Sequence, residues 1–221
     1  VEEALRIAEA HGGNEEGGAN TVTVISMGPE RATEAVRKAL SMGANDAILI
    51  SDAVLVGADA VVTAEVLANV IFKGEYDLII CGTESTDARM SVVPAMMSEK
   101  LGCAQLTFAS KVTVDPGAKK VSITRVTEAG VDEVHGEFPC VISVVEKINE
   151  PRYPSFKGIM AAKKKTIDIR DFASTGAEFT KSWSAVIDAA PRPPRAAGVV
   201  VTDDGSAGQK LVDFLSEKKL I

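Results

Sequence analysis

Histidine, paired cysteine, basic charge and long apolar runs are all scarce in this 221-residue chain. His11 and His135 are the only histidines, and neither has a serine, cysteine or metal-ligand partner at a useful spacing. Triad chemistry and a zinc site are therefore disfavoured. Cys81, Cys103 and Cys140 make an odd count without a C-x-x-C pair. They read as small buried apolar residues in a reducing compartment, not as disulfides or a metal site. Lysine and arginine total 24 against 31 acids, a net charge of −7, so the basic stripe that nucleic-acid binding needs is absent. No apolar run approaches the ~20 residues of a membrane span. No internal repeat or low-complexity block is present.

What the chain does have is apolar content, 46%, enough for one substantial core. Val1 to Glu9 reads as amphipathic helix from its first residue. A doubly wound domain ordinarily starts with a strand, so a strand is expected to precede this segment in the natural protein. Residues 12–18, four of them glycine, read as a flexible loop. Thr21 to Ser26 is a β-branched strand, and Pro29 and Glu30 suit the first turn of the helix that follows. Ala32, Ala35, Val36, Ala39 and Leu40 repeat at helical spacing until Gly43. Ala47 to Ile50 is a second strand. Ala58 to Phe72 is a helix with Asp59 in its first turn, and Asp77 to Cys81 is a strand apolar on both faces.

Strands alternating with helices predict a parallel sheet covered on both faces, with ligands at the carboxyl ends of the strands. One such end is Ser26-Met27-Gly28-Pro29. The other is Gly82-Thr83-Glu84-Ser85-Thr86-Asp87-Ala88-Arg89-Met90-Ser91-Val92-Val93, leading into a helix through Leu101. Gly82 permits close backbone approach, and small polar side chains follow for a ribose or base edge. The helix N-terminus beyond them favours a phosphate, to which Arg89 could add charge. The loop is neither G-x-G-x-x-G nor a P-loop with its lysine, so by itself it also fits an ordinary strand-to-helix connection.

Four β-rich runs follow, Gln105 to Val114, Val121 to Thr127, Val131 to Glu137 and Cys140 to Val145, and predict an antiparallel extension of the sheet. The stretch after them, residues 149–165, has two prolines that stiffen it, then Gly158 releasing the chain into a short helical run, Ile159 to Lys165, ending in three lysines. An exposed loop carrying Tyr153, Phe156 and Met160 suits a gripping surface. Beyond Lys165, Ser174-Thr175-Gly176 and residues 189–195 read as linkers. Trp183, Val186 and Ile187 are apolar with little local core to join, and Val199 to Val201 and a helix Ser206 to Lys219 close the chain. Such a tail either packs on another subunit or folds back over its own domain.

Asn149-Glu150-Pro151-Arg152-Tyr153, then Ile159-Met160, then Lys163-Lys164-Lys165, resembles the signature of the electron-transfer flavoprotein β subunits. The resemblance covers nearly the whole chain. It implies an α/β fold: a doubly wound, mostly parallel sheet of the adenine-nucleotide α-hydrolase-like kind, with an antiparallel extension and an extended C-terminal arm. It divides the chain into a nucleotide-binding domain, residues 1–165, and an arm, residues 166–221, that packs on the α subunit. Residues 149–165 become the recognition loop, with Tyr153, Pro154, Ser155, Phe156, Ile159 and Met160 as docking residues and Phe156 as the apolar anchor, where the family often has leucine. Met27 and residues 82–93 become the site of AMP.

In some electron-bifurcating members a second FAD takes that site. Gly82 and Asp87 fit the family pattern. Glu84 stands where glutamine is common, and Ala88-Arg89-Met90 replaces a Gly-Asp-Thr-type run. Bulky Met90 and cationic Arg89 favour AMP. By the same resemblance the redox FAD lies mainly in the α subunit. It takes electrons from acyl-CoA and related flavin dehydrogenases and passes them to a flavoprotein:quinone oxidoreductase. The compartment is the cytoplasm in a bacterium or the mitochondrial matrix in a eukaryote. No catalytic residue and no metal is expected. A bifurcating subunit and a free-standing nucleotide-binding module of the stress-protein kind are the alternatives.

Overall fold

The computed structural model describes residues 1–178, 181–195, 198 and 200–221. It comprises two compact units, Val1–Ala185 and Val186–Ile221. Val199, which belongs to the run Val199 to Val201 read from the sequence, lies outside the described residues.

The first unit starts with helix α1 (Glu2–Ala10), strand β1 (Thr23–Met27), helix α2 (Thr33–Met42) after a single 3₁₀ turn, and strand β2 (Asp46–Ile50). Helix α3 (Ala60–Phe72), strand β3 (Leu78–Gly82) and helix α4 (Val93–Leu101) follow. β1 and β2 are parallel, and β2 also pairs in parallel with a short late strand, β8 (Asp168–Arg170). Along β2 the side chains alternate between two cores. Ala47 and Leu49 pack with Val36 and Leu40 of α2, whereas Ile48 and Ile50 pack with Val62, Val66 and Val70 of α3. A strand covered on both faces has no use for polar residues, which is why this run is apolar throughout. Helices on opposite faces of the same parallel strands make the fold doubly wound.

Strands β4 (Ala104–Asp115), β5 (Lys120–Thr127), β6 (Gly130–Glu137) and β7 (Cys140–Val144) build a second sheet in the order β3-β7-β4-β5-β6. The β4-β5-β6 part is the antiparallel extension. β7 differs from the sequence expectation: it is parallel to both β3 and β4 and lies between them. Its residues show why, since Cys140, Val141, Ile142 and Ser143 are all buried, as befits a central strand and not a meander strand. Helix α3 serves both sheets. Its Ala64 and Ile71 join Ile79, Met97 of α4 and Val141 in the other core, so it is apolar nearly all round. Ile25 of β1 packs against both α3-facing cores. Among the described residues, β1 and β3 are each paired along one edge only.

After β7 come residues 149–155, helix α5 (Phe156–Lys164), β8 and a single-turn helix α6 (Phe172–Thr175). The first unit thus extends to Ala185, twenty residues past the boundary at 165 expected from the sequence. The physical reason is β8: three residues suffice to add a parallel strand to β2, too few to register as a periodic pattern. The glycine-rich stretch 12–18 is also better held than its composition suggests. The Asn14 side chain, buried, donates to Gly43 O and Asn45 Oδ1, and the Asn20 amide donates to Ala8 O, His11 O and Gly13 O.

The second unit contains helix α7 (Ala207–Glu217), which leaves Leu211, Val212 and Phe214 exposed. Lys218 Nζ lies 5.8 Å from the centre of the Phe214 ring.

Candidate functional site

The loop after β3 begins where a parallel strand ends. Gly82 is exposed, and no atom lies within 4 Å of the position a Cβ would take, so the space over it is open. Thr83 roots the loop by donating from Oγ1 to Val144 O at 2.8 Å, joining the carboxyl ends of β3 and β7. Ser85 O accepts from Arg89 N–H at 3.2 Å, Glu84 Oε2 accepts from Ser91 Oγ at 3.1 Å, and Asp87 Oδ1 accepts from Ala88 N–H at 2.7 Å. Arg89 and Ser91 both hold left-handed backbone, φ 50° and 57°. The loop therefore folds on itself and leaves the side chains of Ser85, Thr86, Asp87, Arg89 and Met90 exposed. The Asp87 carboxyl is held below its usual range, first by the Ser85 hydroxyl and then by the Ala88 N–H, so it presents a charged acceptor. Val92 caps α4, with Pro94 in the first turn, and Gly102 ends it in left-handed conformation. Met27 is half-buried against the α3-facing core at the carboxyl end of β1. Ala88, Val92 and Val93 complete the stretch named from the sequence, the two valines half-buried.

Burial pushes the thiol of Cys81, one residue before this loop, up to about 11, and that of Cys140 likewise to about 11, so neither is a thiolate at neutral pH. Among the described residues no cluster of three or more His, Cys, Asp or Glu could hold a metal, and no helix is long and apolar enough to cross a membrane.

The second constellation is the segment 149–165. Tyr153 is 96% exposed and Phe156 80% exposed, while Ile159 and Met160 are about four-tenths exposed. Phe156 therefore does not pack inward. The helix starts earlier than expected, at Phe156 itself, because Ser155 is its N-cap and accepts from Gly158 N–H at 3.1 Å. Ser155 thus has a capping duty, and Pro154 separates it from Tyr153. Gly158 does not loosen the chain; it lets α5 approach α2. The lysine run divides: Lys163 and Lys164 are exposed, whereas Lys165 Nζ donates to Ala44 O and Asn45 O at 2.7 and 2.9 Å. In return Arg37 of α2 donates to the carbonyls of Ala162 and Lys165 at the end of α5.

Sequence reasoning gave Arg152 no role, yet it is the best-bonded side chain of the segment. Its guanidinium faces Glu2 and Glu9 of α1, and the Asn149 amide donates to Glu3 Oε2 at 2.7 Å. No local feature of the sequence signals this, because Arg152 and Glu2 lie 150 positions apart. The tail has a comparable hub. Asp59 caps α3 through Val61 and Val62 N–H, and also accepts from Trp183 N–H and Ser184 N–H. It is an N-cap and not a first-turn residue, and it fixes residues 182–184 of the first unit.

The layout is that of a doubly wound α/β protein with a polar loop at its strand ends and an apolar display on a separate loop. The family model described as "Electron transfer flavoprotein domain" matches residues 1–175. The electron transfer flavoprotein subunit beta of Mycobacterium tuberculosis (strain ATCC 25618 / H37Rv) is 44% identical over 227 residues, covering 100% of this chain and 84% of the relative. That of Thermoanaerobacterium thermosaccharolyticum is 33% identical with the same coverages, and the protein FixA of Azotobacter vinelandii is 34% identical over 80% of this chain and 62% of its own. The chain belongs to the electron transfer flavoprotein family, among its β subunits. It is a subunit of an electron carrier.

Proposed function

We propose that this β subunit pairs with a FAD-bearing α subunit, binds AMP as a structural ligand, and docks flavin dehydrogenases for one-electron transfer towards the quinone pool. The carrying observation is the outward display of Tyr153 and Phe156 on a loop anchored at both ends, in a chain of this family. Large apolar side chains exposed singly mean little, but aromatics that a rigid loop keeps in water concentrate interface energy. Acyl-CoA dehydrogenases are the donors and a flavoprotein:quinone oxidoreductase the acceptor in this reading. The flavin supplies the redox chemistry and the protein supplies docking, orientation and tuning. Fatty-acid β-oxidation in the bacterial cytoplasm is the setting.

In this reading AMP takes the loop from Gly82 to Val93, with Met27 at the carboxyl end of β1 as a further contact. Support comes from the open space over Gly82, the exposed hydroxyls and carboxylate, and the start of α4, where free N–H groups suit a phosphate. Exposed apolar residues for the α subunit are Trp183 in the first unit and, in the second unit, Val186, Ile187 and Leu211, Val212 and Phe214 of α7.

The test is co-expression with the α subunit, followed by quantification of nucleotides released on denaturation. One FAD and one AMP per heterodimer is the expected result. Two FAD and no AMP would replace this reading with a bifurcating one, and a nucleotide-bearing monomer indifferent to the α subunit would replace it with a free-standing binding module. Docking is tested separately: Phe156→Ala is expected to slow electron transfer from a dehydrogenase without altering the flavin spectrum, and undiminished transfer removes Phe156 from that role.

A further inference from the structure

We propose that Arg152 is a positioning residue, clamping the recognition loop onto α1 so that Tyr153 and Phe156 are held pointing at the partner; this rests on the docking reading above.

The clamp is dense. Arg152 Nε donates to Glu2 Oε2 at 2.8 Å and Nη2 to Glu2 Oε1 at 3.0 Å, a bidentate pair, and the Arg152 backbone N–H donates to the same Glu2 Oε2 at 3.1 Å. Nη1 and Nη2 also reach Glu9, the second at 3.0 Å. Glu2 and Glu9 are seven residues apart, two helical turns, and so share a face of α1. Between them Arg6 donates to Glu2 Oε1 at 3.1 Å. The Asn149–Glu3 bond holds the other end of the short stretch, and Pro151 stiffens its middle.

Why build it from charge? Glu2 is only 7% exposed, and an ion pair this buried gains little over apolar packing. What it gains is orientation, because the two planar forks of the guanidinium, one on Glu2 and one on Glu9, fix its direction. That geometry has a use here. Only Tyr153 and Pro154 lie between the clamp and Ser155, the cap of α5. With both ends fixed, Tyr153 and Phe156 cannot fold back onto the protein's own apolar surface, which is where free aromatics would go. A preorganised display also saves the ordering cost at the moment of docking.

The test uses the heterodimer in five forms: wild type, R152Q, E2Q, F156A and R152Q/F156A, with an acyl-CoA dehydrogenase and its substrate as electron donor. R152Q is expected to raise the KM for the carrier roughly tenfold with kcat little changed, since it disturbs binding and not the flavin. E2Q, which leaves Arg152 its Glu9 partner, is expected to do the same more weakly. FAD content stays at wild-type level, and R152Q costs less in the F156A background than it does alone, because one of the two side chains it positions is gone. Hydrogen exchange of residues 153–160 is expected to quicken in R152Q. An impaired F156A beside an unimpaired R152Q, additive losses in the double variant, or unchanged exchange at 153–160 would each overturn the clamp. F156A indistinguishable from wild type would overturn the docking reading itself.

Discussion

Gly158 of α5 faces the carbonyl oxygen of Ser41 at the end of α2: a methyl group on residue 158 would come within 2.6 Å of that oxygen. Two effects oppose each other at this position. Alanine in a helix interior is favoured over glycine by ~1 kcal/mol. Forcing a methyl against a backbone oxygen that cannot move aside costs ~1–3 kcal/mol. The clash is expected to win, so Gly158→Ala lowers stability by up to about 2 kcal/mol and shifts α5 away from α2. Thermal or urea unfolding checks this, and a stabilised variant would show that the two helices separate freely.

Glu2 gives the clamp a pH signature. Its carboxyl is lowered to about 2 from the ordinary 4.5, first by the hydrogen bonds from the Arg152 side chain, against an opposing effect of burial. Glu9 is lowered too, by the same guanidinium, and Arg152 is raised. A depressed carboxylate stabilises the fold above its unfolded value and loses that contribution as pH falls through its folded one. The clamp therefore holds from neutral pH down to about 4.5 and is lost between there and about 2. At ~1.4 kcal/mol per unit its worth at neutral pH is at most about 3.5 kcal/mol. Stability measured against pH is expected to fall less steeply over this window in Glu2→Gln than in wild type, and parallel curves would separate Glu2 from the acid transition.

Much of this was legible in the sequence, and the omissions share a cause. The apolar runs Ala47–Ile50 and Asp77–Cys81 announced buried parallel strands, since alternation and continuity of apolar residues are local properties. Cys140–Val144 carried the same continuity, but its place directly after three β-rich runs disguised a central strand as the last strand of an antiparallel extension. The polar loop after Gly82 could be located from the strand-to-helix order alone. The Arg152–Glu2 pair could not, because it joins residues 150 positions apart and nothing near either one marks the other. The same holds for Asn14 with Asn45, which turns a glycine-rich loop into a fixed one, and for Asp59 with Trp183.

The lysine run offers a sharp comparison between neighbours. Lys163 and Lys164 project into solvent, and replacing either by methionine is expected to change stability by less than ~0.5 kcal/mol. Lys165 spans to Ala44 O and Asn45 O, the carbonyls that lead into β2, and a charged donor to such groups is worth ~1–3 kcal/mol. Lys165→Met should therefore lower the unfolding midpoint while its two neighbours do not. Equal effects at all three positions would mean that the run acts only through its charge.

Asp59 ties residues 182–184 to the start of α3, and this can be broken without touching any apolar contact. Its Oδ1 accepts from Val61 and Val62 N–H at 3.1 and 3.0 Å, and its Oδ2 from Trp183 and Ser184 N–H, at 2.6 and 3.2 Å. Its own N–H donates to Ser182 Oγ at 3.1 Å, and that hydroxyl donates to Gly57 O. Asparagine caps helices nearly as well as aspartate but has one acceptor oxygen, so Asp59→Asn can serve α3 or the tail and not both. Asp59→Ala removes both services and is expected to cost ~1–2 kcal/mol through the lost cap. Because the backbone at 182–184 gains nothing from the cap itself, limited proteolysis distinguishes the two. Cleavage at Lys181 is expected to accelerate in both variants, while the unfolding midpoint falls clearly only in Asp59→Ala. If Lys181 is cut no faster in Asp59→Asn, the oxygen facing Trp183 and Ser184 is not what holds this segment.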